Sequence, residues 1–200
     1  MQVVVLNATH NKQGMTNLLA NAFSETIRER FKEAKIMNFD LLNEDIKFCT
    51  GCTKCTSLKA EINAECIIKD KCEKIKKEAL ECDILVFVTP IYEYAVSSSM
   101  KRFLERCLTL VTFKFGPAPK AKPIKAKHGV VICCSGAPFP INHLMGFTRY
   151  PKKILRLACK LFRCANIHEI YAGGMRGSNR MQQKYVEKTK KLAEKIADKY

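Results

Sequence analysis

Ile84-Leu85-Val86-Phe87-Val88, between Cys82-Asp83 and Thr89-Pro90-Ile91-Tyr92, is the stretch whose reading decides the fold. Its run of apolar residues leaves no polar face, so a strand formed here must be covered on both sides, as happens inside a parallel sheet. Val3-Val4-Val5-Leu6 has the same character. These two strands are therefore expected at the centre, with further strands at 35–39, 129–133 and 167–172. Helical stripes lie between and after them: Leu19, Phe23 and Ile27; Cys72, Ile75 and Ala79; Met100, Phe103, Leu104, Cys107 and Leu108; Ile154, Ala158, Leu161 and Phe162; Met181, Tyr185, Leu192 and Ile196. Each stripe repeats near the helical period and reads as core, and the serines at 97–99 offer an N-cap to the third.

Strands alternating with helices throughout define an α/β chain with helices on both faces of the sheet. The reading is a flavodoxin-like, doubly wound, five-stranded parallel sheet of order 2-1-3-4-5. A chain of 200 residues without an internal repeat is read as one domain over 1–200, with a cysteine-rich excursion at about 45–70.

The formal charge of +16 raises the question of polyanionic partners. The lysines are scattered over helix faces and interleaved with Glu187, Glu194 and Asp198, as on a solvated surface. The densest stretch, residues 120–127, reads as a proline-bearing connection without aromatic stacking partners, which argues against nucleic acid. No apolar run approaches the roughly 20 residues of a membrane-spanning helix, so no membrane partner is expected. Residues 1–6 lack the features of a secretory leader, and the expectation is a cytoplasmic protein with reduced thiols.

In an open α/β sheet, ligands sit beyond the carboxyl ends of the strands where strand order reverses. The first such loop, residues 7–17, has hydroxyls at Thr9 and Thr16, a flexible Gly14 and free helix-start amides that suit a phosphate. It is neither a dinucleotide G-x-G-x-x-G loop nor a G-x-x-x-x-G-K-[ST] loop. His10 is read as a phosphate donor or as a solvent-exposed loop residue. After the third strand, Thr89-Pro90-Ile91-Tyr92-Glu93-Tyr94 can hold a flat aromatic ring, although Tyr92 or Tyr94 reads equally as a subunit contact or a local lid. After the fourth, Cys134-Ser135-Gly136-Ala137-Pro138 is small enough for close backbone approach.

Eleven cysteines are present, three of them in Cys49-Thr50-Gly51-Cys52-Thr53-Lys54-Cys55, with Cys66 and Cys72 downstream. The C-x2-C-x2-C spacing lets one short loop turn successive sulfurs inward, and soft thiolates select iron-sulfur centres or zinc. Reduced thiols without metal satisfy the same pattern. Cys82, Cys107, Cys133, Cys159 and Cys164 read as packed apolar residues, while Cys134 enters a candidate ligand loop.

Taken together, these segments resemble the flavodoxin-like NADPH-dependent FMN reductase superfamily and, within it, the iron-sulfur flavoproteins. Ala8, Thr9, His10, Asn11, Gly14, Met15 and Thr16 follow the order of the family's G-S-P-R-x-x-G-N-T pattern, identical at Gly14 and Thr16. Cys49 to Cys55 is similar to its C-x-G-C-x-x-C, and Cys66-Ile67-Ile68-Lys69-Asp70 to its C-x-x-x-D-D. Pro90, Tyr92, Ser97, Met100, Lys101, Phe103 and Arg106 match the block P-V-Y…S-x-x-M-K-x-F-x-D-R.

The resemblance implies FMN, with its phosphate on Thr9, His10, Lys12, Gly14, Met15, Thr16 and Asn17. It places the ring against Thr89, Pro90, Ile91, Tyr92, Glu93, Tyr94, Ser135 and Gly136. It implies electron or hydride transfer from NAD(P)H through the flavin to a second acceptor, with no side chain nominated as acid or base. It also implies a 4Fe-4S cluster on Cys49, Cys52, Cys55 and Cys66, the ten residues at 56–65 closing the loop to the fourth thiol. Two rival expectations stand beside it: an electron carrier exchanging with ferredoxin-like proteins, and a thiol or zinc interaction module without FMN. A homo-oligomer is expected in which the excursion contributes an interface.

Overall fold

The computed structural model describes residues 1–56, 66–112, 116–174 and 179–200. Its strands are β1 (Gln2–Asn7), β2 (Lys35–Asp40), β3 (Ile84–Tyr92), β4 (Ala95–Val96), β5 (Val111–Thr112), β6 (Ala118–Pro119), β7 (Ile124–Cys134) and β8 (Cys164–Ala172). Its helices are α1 (Met15–Arg30), α2 (Cys72–Glu81), α3 (Ser98–Arg106), α4 (Ile141–Leu144), α5 (Arg149–Leu161) and α6 (Asn179–Ala197).

The five long strands form a parallel sheet of order β2-β1-β3-β7-β8, the topology expected from the sequence. Two features escaped that reading. β4 pairs antiparallel with the end of β3, and β5 pairs with β6 as a separate ribbon. Strands of two residues carry no readable alternation.

Successive side chains of a strand point to opposite faces, so β1 and β3 supply two cores. On one face Val4, Leu6, Leu85 and Phe87 pack with Ile75, Met100, Phe103, Leu155 and Phe162 of the α2, α3 and α5 layer. On the other, Val3, Val5, Ile84 and Val86 pack with Leu19, Phe23, Ile27, Ala193 and Ile196 of α1 and α6. Each fully buried Val, Leu, Ile or Phe contributes roughly 1.5–3 kcal/mol. The cysteines read as apolar filling, Cys82, Cys107, Cys133, Cys159 and Cys164, are all buried.

β7 starts at Ile124, earlier than the expected 129, so part of the basic stretch is sheet and not a solvated connection. Lys127 explains it. This side chain is buried and its ammonium donates to the carbonyls of Ala79 (2.6 Å) and Leu80 (2.8 Å), satisfying acceptors at the end of α2. The stripe of α3 also departs from expectation, because the α-helix ends at Arg106 and Cys107 and Leu108 fall on a 3₁₀ turn.

Arg106 and Asp70 form an ion pair in which both side chains are 0% exposed. The guanidinium also donates to the carbonyls of Lys47 (2.9 Å) and Ile68 (3.0 Å), and Asp70 accepts the Lys47 N–H at 2.9 Å. α3 thus clamps both ends of the cysteine-rich excursion. Burial works against the Asp70 charge, but the Arg106 guanidinium beside it holds its carboxyl below the usual range. At the opposite, amino edge of the sheet, His128 Nδ1 lies 3.0 Å from His168 Nε2, one ring donating to the other. The Tyr200 hydroxyl donates nearby to Ala126 O at 2.8 Å. Among the described residues no helix is long and apolar enough to cross a membrane.

Arg106→Met leaves Asp70 buried without its partner and is expected to lower stability by about 3–5 kcal/mol in chemical denaturation, with Arg106→Lys intermediate. Burial, with His168 and Lys199 adding to it, pushes His128 down to about 4, and His168 is lowered as well. The unfolded chain then binds more protons between about pH 6.5 and 4, so this contribution is full above pH 6.5 and is lost as pH falls through that window. Thermal melts from pH 7 to 4 should show a drop that is shallower in His128→Gln.

Candidate functional site

The carboxyl ends of β1, β3 and β7 meet along one edge of the sheet, where Asn7 lies beside Val88 and Pro90 beside Cys134. The loop after β1 is wired by two asparagines. Asn7 Oδ1 accepts the Thr9 N–H at 2.9 Å and Asn7 Nδ2 donates to Asn17 Oδ1 at 2.9 Å, while Asn17 Nδ2 donates to Lys12 O at 2.8 Å. Gly14 is the N-cap of α1, no side chain caps that helix, and its first turn has no acidic residue. A 16-residue helix therefore presents its amino terminus without a side-chain acceptor or an acidic residue in its first turn, the arrangement that attracts an anion.

Thr9 strengthens this. It is buried, and its hydroxyl has no hydrogen-bond partner within the protein. Burying an unpaired hydroxyl costs free energy that an acceptor oxygen from a ligand would offset. Among the other nominated residues, Met15 and Thr16 are buried, leaving only backbone amides for a ligand in the case of Met15. Lys12 is drawn away, its ammonium 2.7 Å from Asp40. Partial burial opposes the Asp40 charge, yet hydrogen bonds from Lys12, Asn43 and Leu42 keep its carboxyl low. His10 is exposed on its loop and reaches across with Nε2 3.1 Å from Ser99 Oγ on α3.

Ser97 joins the first and second loops. Its hydroxyl donates to Ala8 O at 3.1 Å, and its N–H donates to Thr89 Oγ1 at 3.0 Å. It occupies the N-cap position of α3 without a side-chain capping bond, so the sequence reading of its place holds and that of its bond does not. Thr89, Pro90 and Ile91 are buried, whereas Tyr92, Glu93 and Tyr94 project from the sheet edge. The Tyr94 ring lies flat against Phe147, with centroids 4.4 Å apart. In the third loop the buried Ser135 hydroxyl turns inward to Ala137 O at 3.1 Å, and Gly136 is exposed with open space around it. Cys134 is buried, and burial pushes its thiol up to about 12 against the opposing Thr16 hydroxyl.

Asn7, Ser97, Asn142 and Phe147 belong to this edge although sequence reasoning gave none of them a ligand role. Asn142 is buried with Oδ1 unpartnered, its amide 3.4 Å from Ser135 Oγ. A polar residue at the end of an apolar strand was the available signal for Asn7. Nothing local marks Asn142 or Phe147.

Cys49, Cys52, Cys55 and Cys66 line one cavity of about 90 Å³, with Arg106, Leu108 and Thr109 behind them. Left-handed backbone at Gly51 (φ 66°) and Thr53 (φ 59°) turns the chain around it. Burial, and then the neighbouring thiols of Cys66, Cys49 and Cys52, push the Cys55 thiol up. Cys72 stands apart, buried at the start of α2 with its thiol pushed up to about 12. Among the described residues, no group of three or more His, Cys, Asp or Glu is arranged to hold a metal ion. The thiols share a cavity but do not close into a ligand shell, so the expected 4Fe-4S site is not supported by their arrangement. Most of the proposed closing segment, 57–65, lies outside the described residues.

A doubly wound sheet with an anion-receptive loop at its switch edge defines a flavodoxin-like protein. Residues 1–144 match the NADPH-dependent FMN reductase family. The chain is 25% identical over 206 residues to an FMN-dependent NADH:quinone oxidoreductase of Azotobacter vinelandii, covering 98% of this chain and 99% of that protein. It is 25% identical over 127 residues to an iron-sulfur flavoprotein of Archaeoglobus fulgidus, covering 64% of this chain and 50% of that protein. An FMN-dependent NADH-azoreductase of Bacillus anthracis, solved in complex with FMN, shares the fold at a TM-score of 0.76 and 14% identity, over 98% of this chain and 100% of that one. The chain belongs to the NADPH-dependent FMN reductase family and is an enzyme of the flavin oxidoreductase class.

Proposed function

We propose that the protein binds FMN at the carboxyl edge of its sheet, takes electrons from NAD(P)H and passes them to a second acceptor, a quinone or azo compound. The observation that carries this reading is the buried, unpartnered Thr9 hydroxyl beside the uncapped amino terminus of α1. The A. vinelandii relative, named as an NADH:quinone oxidoreductase, supports the donor and acceptor classes. Bound FMN supplies hydride and electron transfer at its N5 position. Thr9 and the first amides of α1 take the phosphate, and the Asn7–Asn17 pair keeps that loop in shape. His10, Gly14, Thr16 and Asn17 border it, while Lys12 contributes long-range charge through a side chain already engaged with Asp40.

For the ring, Thr89, Pro90 and Ile91 form a wall with Ser135 and Gly136 opposite, and the Ser97 bonds fix the distance between wall and phosphate loop. No side chain is assigned as acid or base. A fold of 200 residues without a separate nicotinamide-binding motif admits donor and acceptor in turn, which gives ping-pong kinetics. A cytoplasmic location remains part of the reading, as does a homo-oligomer, the latter supported by an exposed apolar groove of about 320 Å³ that includes Leu104, Leu108, Ile154 and Leu157.

Thr9→Val is expected to weaken FMN binding about tenfold in fluorescence titration while leaving the melting temperature of the flavin-free protein unchanged, because the hydroxyl makes no bond inside the fold. Absence of FMN binding by the unsubstituted protein would sink the reading. FMN binding without NAD(P)H oxidation would favour the second reading, an iron-sulfur electron carrier serving a ferredoxin-like partner. That second reading rests on the iron-sulfur flavoproteins among the relatives, although the four thiols that line one cavity do not close into a ligand shell. It requires anaerobic reconstitution with iron and sulfide to give a broad visible absorption that dithionite bleaches and that Cys66→Ala lacks.

A further inference from the structure

The turn between β3 and β4 contains residues poorly suited to its backbone. Tyr92 pairs with Ala95 across it, which leaves Glu93 and Tyr94 as its two central positions, at φ 45° and 61°. Two left-handed residues in succession favour Asn-Gly, since a side chain with a Cβ crowds the following carbonyl there. Strain of this kind persists only where the surroundings hold it, and it collects at ligand clamps and switches.

The hairpin pairing holds it, and an aromatic stack packs on its second residue. The Tyr94 and Phe147 rings are 4° from parallel at a centroid separation of 4.4 Å. Phe147 comes from the connection between α4 and α5, beyond β7, so the stack joins the loops that follow two neighbouring strands. Those loops border the ligand edge of the sheet.

The two rings are held differently. The Tyr94 backbone is pinned by the hairpin, whereas Phe147 follows Gly146, a left-handed residue at φ 76° with open space around it. Tyr94 is 39% exposed even when stacked, and Tyr92, Phe139 and Met145 are exposed as well. One aromatic face on the hairpin is therefore covered by a ring from the neighbouring loop, whose backbone is held by Gly146 N–H donating to His143 O at 3.0 Å and Arg149 N–H to Gly146 O at 3.0 Å, so that only the side chain has to swing for the face to open.

Building on the reductase reading, we propose that Tyr94 is the stacking face for a flat conjugated acceptor and that Phe147 occupies this face until the acceptor displaces it. Exchange of one stack for another conserves aromatic contact, so extended ring systems enter readily. Acceptors without a flat ring find the face covered. Phe147 acts as a built-in competitor that sets the selectivity of the site.

The test is equilibrium binding of anthraquinone-2-sulfonate to the oxidised, FMN-saturated protein and to the flavin-free protein, by calorimetry without NAD(P)H. Phe147→Ala should bind the probe roughly fivefold more tightly and Tyr94→Ala roughly fivefold more weakly, with Tyr94→Phe like the parent, in line with the worth of one aromatic stack. Melting curves of each variant verify folding. No binding by the parent, no gain in Phe147→Ala or no loss in Tyr94→Ala overturns the proposal. NAD(P)H-dependent reduction of ferricyanide by the parent, an acceptor with no ring, is measured separately. Its absence would defeat the reductase reading while the binding series still decides the stack.

Discussion

β1 and β3 have apolar side chains on both faces, and water must be kept from all of them. Val3 and Val5 face one helical layer, Val4 and Leu6 the other, and β3 repeats the arrangement from Ile84 to Val88. Both faces of the sheet are consequently closed, and only its ends remain for chemistry. At the carboxyl edge the adjacent β1 and β3 deliver two loops side by side, and the Ser97 hydroxyl and amide tie them to Ala8 and Thr89. The loops after β1 and β3 are thus tied into one unit.

The second organising interaction is the buried cation of Arg106. Taking a guanidinium and a carboxylate out of water is costly, and the cost is offset only because the Asp70 pair and two backbone carbonyls satisfy the charge together. Its Nε remains buried without a partner among nitrogen and oxygen atoms, with Cys66 beside the guanidinium. The same residue therefore fixes the excursion to α3, whose other end follows the β3–β4 hairpin, and places positive charge behind the thiol cavity. Lys76 and Lys127 are likewise buried and bonded inside the protein. Part of the +16 charge that suggested polyanionic partners is structural.

The readings that succeeded rest on local periodicity. An apolar run at 84–88 has one stable environment, and helical stripes at Leu19, Phe23 and Ile27 can face only a sheet. The readings that failed involve residues whose role depends on distant partners. Lys127 looked like a linker lysine because the carbonyls of Ala79 and Leu80 are far away in sequence. The Asp40 partner of Lys12 was hidden for the same reason, since Asp40 lies at the end of a different strand. The burial of Cys134 was left open for the same reason, since both neighbouring strands set it.

The order of strands and helices, the two apolar strands paired at the centre and the three polar loops at the carboxyl ends of the sheet were all legible in the chain. Hydrophobic period and turn chemistry act within a few residues, so a reader of the chain can see them. Only the tertiary structure decided that the Thr9 hydroxyl is left without a partner, that four thiols share a cavity with Arg106 and that Phe147 covers Tyr94. Those outcomes depend on contacts between segments far apart in the chain, brought together by burial of the sheet and not by any local preference of the residues involved.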